Sequence, residues 1–275
     1  ADSMLVYKGL DIGTAKPSIQ DRREIPHHLV DIVTPDIRFS AGDFVREVRK
    51  ALDDIHTRGK RALIVGGTGF YLKALLFGLW KCGKTNYSLR ASFDKLTDAE
   101  LFELLCSRDT TAANRIGRND RYRLIRALEL SSETGKTLEE LQKSMPEKPD
   151  PSFIIWSIDR QTDELMERIK SRTTAMINSG LLEEVRQIMT DFPDSPPLSA
   201  VGYAQAVAYL LGKPPAGRKP RAGLVGLHDE IALATRRLVK KQRTFLKNLL
   251  RNISPQEEQN SFLLDRDHKI LADRF

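Results

Sequence analysis

Cysteine is scarce in this sequence, and long apolar runs are absent. Cys82 and Cys106 are the only cysteines among the 275 residues, too few for a disulfide framework or a zinc site. No apolar run approaches the roughly 18 residues that a membrane-spanning helix needs. The first seven residues lack the basic region and apolar stretch of a signal peptide. These absences favour a reducing, cytoplasmic setting and predict no membrane partner.

Positive charge is moderately in excess. Lysine and arginine number 44 against 37 acids, a net charge of +7, which suits a polyanionic partner without requiring one. Arg115, Arg118, Arg121, Arg123 and Arg126 lie close together, and Arg236, Lys240, Arg243 and Lys247 share one face of a predicted helix. A solvated helix face is the usual explanation of such runs. The second face, however, has no acid between Ile231 and Ile253, which favours a phosphate partner.

The first part of the chain has the order of an α/β fold. Residues 40–55 are predicted to form a helix with a capping box at Ser40 and Asp43. The apolar residues 62–65 are typical of a buried parallel strand. Glycine-rich residues 66–69 follow, and then a helix over residues 70–77. This order predicts an α/β sheet, although only two or three strands can be recognised: either a strand goes unrecognised or the chain lacks its beginning.

The middle of the chain is helical in pattern. Helices are predicted over residues 99–106, 120–132 and 137–142, and Pro146, Pro149 and Pro151 mark a boundary. A strand over residues 153–158 follows, then helices from Thr162, over 181–189 and over 227–250. The chain is therefore predicted to have an α/β core over residues 1–82 and 151–275 and a helical insertion domain over residues 83–150.

Three short motifs could carry chemistry. Gly66-Gly67-Thr68-Gly69 could present backbone N–H groups to an anion at a helix start, or could simply make a tight turn, and both interpretations stay open. Gly78 to Thr85 has the spacing of a phosphate-binding P-loop, but a predicted helix precedes it and Trp80 is bulky, so we interpret the match as accidental. Asp2, taken alone, is a solvated charge.

Together these residues resemble the bacterial tRNA dimethylallyltransferases. The resemblance is carried by motifs along nearly the whole chain: Ala1-Asp2-Ser3-Met4-x-Val6-Tyr7-Lys8-Gly9-x-Asp11-Ile12-Gly13-Thr14-Ala15-Lys16-Pro17, Pro26-His27-His28-Leu29-Val30-Asp31, Val65-Gly66-Gly67-Thr68-Gly69-x-Tyr71-Leu72-Lys73-Ala74-Leu75, Asn119-Asp120 with Arg123 and Arg126-Ala127-Leu128-Glu129, Thr134-Gly135-Lys136, Gly180-Leu181-Leu182-Glu183-Glu184-Val185, Val201-Gly202-Tyr203 and Thr235-Arg236-x-Leu238-x-Lys240-x-Gln242.

The resemblance implies a fold and a reaction. The expected fold is a P-loop NTPase-like parallel-sheet core with a mostly helical insertion domain that contacts the tRNA anticodon stem-loop, the N-terminal strand and the P-loop being missing from this chain. The implied reaction moves a dimethylallyl group from dimethylallyl diphosphate to the exocyclic N6 amine of the adenosine 3′ of the anticodon. Mg²⁺ is the implied cofactor, with a ligand in the missing P-loop, and the enzyme is expected to be a monomer.

The resemblance also implies residue roles. Asp2 would be the general base and Thr68 would assist at the reacting centre, while Arg172 and Arg236 would bind the diphosphate. The implied tRNA contacts are Asp2, Ser3, Met4, Leu5, Thr68, Arg90, Tyr122, Arg123, Leu124, Ile125, Arg126, Ser199, Ala200, Val201, Gly202, Tyr203 and Ala204. Three positions depart from the family: glutamine is common at Tyr122, a basic residue at Ala204, and tryptophan at Phe245.

Two other functions remain as alternatives. A P-loop small-molecule kinase would account for the Walker-like spacing and the α/β pattern, although the Asp-Ser segment and the basic helices oppose it. A non-catalytic RNA-binding protein would account for the basic helices if the N-terminal P-loop were absent.

Overall fold

The computed structural model describes residues 1–80, 87–213, 221–251, 253 and 261–263. The chain divides into two compact units: Ala1–Ala74 with Pro151–Phe275, and Leu75–Asp150. The division falls inside one helix and at the proline-rich segment near residue 150. Within the described ranges, no helix combines the length and apolar character that a membrane crossing requires.

The first unit is built mainly from helices. They are α1 (Ile19–Glu24), α2 (Ala41–Thr57), α3 (Gly69–Phe77, which runs into the second unit), α9 (Thr162–Asn178), α10 (Leu181–Asp191), a 3₁₀ turn (Pro196–Ser199), α11 (Tyr203–Leu210) and α12 (Gly223–Arg251). Ser40 and Asp43 form the predicted capping box of α2. The core packs Val6, Tyr7 and Leu10 against α10, α11 and α12.

The second unit is a small helical bundle. Its helices are α4 (Tyr87–Asp94), α5 (Asp98–Arg108), α6 (Thr110–Arg115), α7 (Arg121–Thr134) and α8 (Leu138–Lys143). Thr137 and Glu140 cap α8, and Asp120 caps α7. The buried carboxylate of Asp109 accepts backbone N–H groups from Ala112 and Leu138, which fixes the starts of α6 and α8 together.

The predicted parallel sheet is largely missing from the described residues. Paired strands are limited to β1 (Ser157–Asp159) and β2 (Ser261–Leu263), in parallel register, and to one bridge between Tyr7 and Val33. Residues 62–65 belong to no strand, and Leu63 and Val65 are 77% and 71% exposed. The prediction of a buried strand there was therefore wrong for the described chain, because a strand needs a ladder of backbone hydrogen bonds to its neighbour and this segment has a single one, from Ala1 to Val65. The described chain is mostly helical with little sheet.

Two sequence predictions fall outside the described residues. They are the Gly83-Lys84-Thr85 part of the Walker-like match and the predicted domain boundary between residues 82 and 83.

Candidate active site

The N-terminal segment pairs with the glycine loop, Gly66 to Gly69. The backbone nitrogen of Ala1 donates to the carbonyl oxygen of Val65 at 2.6 Å, and the Thr68 nitrogen donates to the carbonyl oxygen of Ala1 at 3.1 Å. The hydroxyl of Thr68 accepts the Ser3 N–H at 3.1 Å. A Cβ on Gly66 would collide with the Ala1 carbonyl group, so the close approach depends on glycine there. The loop therefore holds the residues on either side of Asp2.

Asp2 is anchored through one of its two carboxylate oxygens. Oδ1 accepts the backbone N–H of Met4 at 2.7 Å and that of Leu5 at 3.3 Å. No described residue is hydrogen-bonded to Oδ2. Because two backbone donors fix the direction of the carboxylate, its second oxygen also has a defined direction.

The other side of the glycine loop packs against α12. Gln242 Nε2 donates to the Gly67 carbonyl oxygen at 3.0 Å. A Cβ on Gly67 would meet the Gln242 amide, and one on Gly69 would collide with the ring of Phe245. The loop glycines are therefore required for close packing, which favours the tight-turn interpretation of this motif without excluding anion binding.

A single carboxylate fixes the turn at residues 11–13. Glu184 on α10 accepts the backbone N–H groups of Asp11, Ile12 and Gly13 at 2.7, 2.7 and 3.0 Å. The hydroxyl of Tyr203 donates to Glu184 at 2.7 Å, and a Cβ on Gly13 would overlap the Tyr203 ring. Burial, and then the Glu184 carboxylate, raise the pKa of Tyr203 above its usual value, so the phenol remains a donor.

Replacing Tyr203 with phenylalanine removes one donor to this carboxylate. A hydrogen bond to a charged group contributes about 1.5–3 kcal/mol, so Tyr203→Phe is expected to lower the free energy of unfolding by about 2 kcal/mol in urea titrations. Tyr209→Phe, at a partly exposed tyrosine of the same helix, is the control and is expected to change stability by less than about 0.5 kcal/mol. Equal stabilities of the two variants would contradict this role for the phenol.

A second polar cluster links the same turn to the His-His segment. The ammonium of Lys16 is nearly buried, its side chain being 3% exposed, and it contacts Asp11 and Asp31. Arg22 also binds Asp31, at 2.8 Å. Burial opposes ionisation of Asp31, but the hydrogen bonds from Lys16 and Arg22 outweigh it and hold its pKa below the usual value. These residues of the resemblance are therefore structural in the described chain.

The two arginines expected at the diphosphate lie on helices that pack together. Arg172 on α9 is exposed and makes one long hydrogen bond, 3.3 Å, to the Thr14 carbonyl oxygen. Arg236 on α12 is exposed and has no ion pair with any residue that the structure describes. The basic face of α12 is only partly unpaired, because Arg243 binds Asp159 at 2.7 Å as well as the Arg160 carbonyl oxygen. Because α12 itself contains no acid near Arg243, the sequence did not reveal that Asp159, on a distant segment, is its partner.

The basic cluster of the second unit divides into structural and exposed arginines. Arg121 binds Asp98 and the carbonyl oxygens of Leu96 and Asp94, which closes the turn between α4 and α5. Arg123 is 71% exposed. Tyr122 is 66% exposed and lies beneath the guanidinium of Arg90, 5.9 Å from the ring centroid.

Several residues expected to contact RNA have buried side chains. Leu124 and Ile125 are 0% and 3% exposed in the core of the second unit, and Tyr203 is 1% exposed. Gly202 is also buried. The side chains of Leu124, Ile125 and Tyr203 cannot reach RNA in this conformation, because they fill the hydrophobic cores. Ser199 is exposed, and Ala200, Val201 and Ala204 are partly exposed.

Sequence reasoning assigned no role to Gln242, Glu184 or Glu129. All three stand in motifs that carried the resemblance, and Gln242 interrupts an otherwise apolar stripe of α12. That interruption was the available signal, since a polar residue within an apolar stripe needs a hydrogen-bond partner. The partners of Glu184 lie on segments far away in sequence and left no such signal. Arg126, a partner of Glu129, lies only three residues away on the same helix, but this spacing did not show that the carboxylate is buried.

The described residues do not form a metal site on their own. No group of three or more histidine, cysteine, aspartate or glutamate side chains among them is arranged to hold an ion. The anchored oxygen of Asp2 is occupied by backbone donors.

The first unit thus offers a carboxylate fixed by two backbone donors, which can accept a proton, and exposed arginines on α9 and α12, which can bind an anion. The chain belongs to the IPP transferase family, whose model matches residues 5–249. It is 44% identical over 222 residues to a protein named tRNA dimethylallyltransferase 2 of Geotalea uraniireducens (strain Rf4), covering 78% of this chain and 71% of that protein.

Further relatives agree with this assignment. The tRNA dimethylallyltransferase of Geobacter sulfurreducens (strain ATCC 51573 / DSM 12127 / PCA) is 38% identical over 254 residues, which is 90% of this chain and 79% of that protein. Among solved structures, a eukaryotic dimethylallyltransferase acting on tRNA matches with a TM-score of 0.78 and 25% identity, over 96% of this chain and 66% of that one. The family resemblance seen in the sequence is confirmed.

Proposed function

We propose that this chain is a tRNA dimethylallyltransferase, which moves a dimethylallyl group from dimethylallyl diphosphate to the N6 amine of the adenosine 3′ of the anticodon and releases diphosphate. The observation that carries the proposal is Asp2, held beside Thr68 with one carboxylate oxygen anchored and the other without a partner among the described residues. The names of the relatives support the same reaction.

The proposed chemistry needs a base beside the adenine. An exocyclic amine is a weak nucleophile, and it must lose a proton as its nitrogen bonds to carbon 1 of the dimethylallyl group. Oδ2 of Asp2 takes that proton, while the bond from carbon 1 to the diphosphate oxygen breaks and its electron pair leaves with diphosphate. The backbone donors on Oδ1 keep the carboxylate aimed throughout.

The diphosphate must be stabilised as it leaves. Thr68 accepts the Ser3 N–H and lies 3.4 Å from the Ser3 hydroxyl, so its own O–H is only weakly engaged and can donate to the leaving oxygen. Arg172 and Arg236 are assigned to the diphosphate, where exposed guanidiniums bind phosphate oxygens bidentately. Mg²⁺ stays part of the proposal, but because the described residues alone offer no site for it, no step is derived through the ion.

The P-loop NTPase-like core also stays a proposal. It is supported by the short parallel pair of β1 with β2. Two apolar segments, residues 62–65 and the one that ends in β1, also have the composition that is typical of buried parallel strands, although Leu63, Val65, Ile154 and Trp156 are 61–82% exposed in the described chain. We assign the helical unit Leu75–Asp150 to the anticodon stem-loop, and we propose that the enzyme acts as a monomer.

Transfer to RNA tests this function directly. Purified protein is mixed in single-turnover amounts with a synthetic anticodon stem-loop and labelled dimethylallyl diphosphate, with Mg²⁺ present. Label is expected in the RNA together with one diphosphate released per transfer. Phosphorylation of a small molecule from ATP would favour the kinase alternative, and tight RNA binding without transfer would favour the non-catalytic alternative.

Arg123, which is exposed, and Arg126, which is partly exposed, are expected to give RNA binding a salt dependence. The logarithm of affinity falls linearly with the logarithm of salt concentration when phosphates are neutralised by basic side chains. Arg123→Ala combined with Arg126→Gln, which keeps a donor for Glu129, is expected to reduce the slope by about 1 to 2.

The control for this prediction removes the same charge elsewhere. Arg46 and Lys50 on α2 are 58% and 65% exposed and pair with Glu47, so replacing both with alanine is expected to leave the slope unchanged. Equal slopes for the wild type and the α7 variant would mean that Arg123 and Arg126 do not meet RNA phosphates.

A further inference from the structure

Glu129 on α7 is a fully buried carboxylate that holds two arginines. Its side chain is 0% exposed, and its Oε2 accepts Nη1 of Arg126 at 3.0 Å. Nε of Arg90, from α4, lies 3.6 Å from its Oε1. A carboxylate removed from water requires positive partners, so the two guanidiniums are drawn to one point from different helices.

Both arginines reach from this buried anchor to the surface. Their side chains are 29% exposed at Arg90 and 35% at Arg126. The Arg90 guanidinium covers the ring of Tyr122, which is itself 66% exposed. The result is an arginine–tyrosine patch made of Arg90, Tyr122 and Arg126. Guanidinium planes beside an exposed aromatic ring bind phosphates and unstacked bases of single-stranded RNA.

Stability alone does not account for this arrangement. A buried ion pair stabilises a fold little more than apolar residues of the same shape do, because the cost of removing the charges from water offsets their attraction. Glu133, one turn further along α7, provides a comparison. Both of its carboxylate oxygens are shielded from solvent and have no hydrogen-bond partner among the described residues. Glu129 Oε1 also lacks a hydrogen bond, but it lies within ion-pair distance of Arg90, and Oε2 accepts a hydrogen bond from Arg126.

We propose that Glu129 is a positioning residue for RNA binding, an inference that rests on the proposed function. It does not touch RNA. It orients Arg90 and Arg126 so that the patch meets the RNA in one geometry, which reduces the entropy lost when the two long side chains are immobilised.

The sign of the effect separates positioning from simple electrostatics. Glu129→Gln keeps the shape of the side chain but removes a negative charge next to the RNA surface, which by Coulomb attraction alone would tighten RNA binding. Positioning predicts the opposite. We expect the Kd and the KM for an anticodon stem-loop to rise about tenfold, the equivalent of about 1.4 kcal/mol, with kcat at saturating RNA within about twofold of the wild type.

Glu133→Gln is the matched control, since it removes the same charge from the same helix. It is expected to bind RNA as tightly as the wild type or slightly more tightly. In an Arg90→Gln/Arg126→Gln background, Glu129→Gln is expected to have no further effect on Kd, because the residues through which it acts are already changed. Thermal unfolding of every variant gives the fraction folded at the assay temperature.

Three results would overturn the inference: a Glu129→Gln variant that binds like the wild type or more tightly, one that loses kcat at unchanged KM, and an equal loss of affinity in the double-arginine background. If Glu129→Gln does not fold, the double variant Arg90→Lys/Arg126→Lys tests the same inference. It keeps both positive charges but loses the fixed geometry of the guanidinium groups. A Kd for the stem-loop equal to that of the wild type would then overturn the inference. The proposed function fails separately, if wild-type protein transfers no dimethylallyl group.

Discussion

Asp2→Asn is expected to lower the single-turnover rate of transfer by about 10²–10⁴-fold, the usual contribution of a general base. Asparagine can still present an oxygen to the N–H groups of Met4 and Leu5, so the turn that carries residue 2 should survive. The asparagine side chain cannot, however, accept the proton of the adenine amine, which Oδ2 of Asp2 is proposed to accept. The KM for the stem-loop is therefore expected to stay within about threefold of the wild type, since the substitution removes an interaction made only in the transition state.

Asp36→Asn is the control for this prediction, because Asp36 is exposed on a loop of the same unit. Its transfer rate should equal that of the wild type. A different outcome for Asp2→Asn, a near-normal rate together with much weaker RNA binding, would mean that Asp2 holds the adenine instead of deprotonating it.

Gly66→Ala is expected to reduce kcat/KM by about 10²-fold without touching any reacting group. The new methyl group would collide with the carbonyl group of Ala1, which accepts the Thr68 N–H. The N-terminal segment must then move off the glycine loop and take Asp2 with it. A displacement of about 1 Å at a reacting group costs about 10²-fold in rate.

Gly59→Ala separates this effect from general destabilisation. Gly59 has a left-handed φ of +66° at the end of α2, and a Cβ added there would have no atom within 4 Å. Alanine should cost about 1 kcal/mol of stability through backbone strain, with an unchanged rate per folded molecule. Circular dichroism gives the folded fraction, and a wild-type rate for Gly66→Ala would show that the loop does not position Asp2.

The helices could be predicted from sequence because their signals are local. Ser40 with Asp43 and Thr137 with Glu140 are capping boxes three residues apart, and each marks the start of a helix in the structure. Arg168 and Glu164, four residues apart on α9, form an ion pair at 2.8 Å, as this spacing on a helix favours. Contacts within one turn depend only on neighbouring residues, so the sequence contains all that determines them.

The strands and the site could not be predicted in the same way. Residues 62–65 have the composition of a buried strand, but composition does not supply the neighbour with which a strand must pair. Arg121 and Arg123 look alike in the sequence, yet only Arg121 is tied to Asp98 and the turn before α5. Whether an arginine is structural or exposed depends on what the fold places next to it, and that placement is set by distant residues.

The contact between Gln242 and Gly67 has a consequence for how the site is assembled during synthesis. It joins residues 175 positions apart. Closing so large a loop is slow, because chain entropy is lost before the contact is gained. On the ribosome, residues 1–69 emerge long before the α12 segment that packs against the glycine loop. Asp2 and Thr68 therefore gain their supporting helix only late in translation, and a nascent chain arrested before α12 would carry these proposed catalytic residues without the helix that packs against their loop.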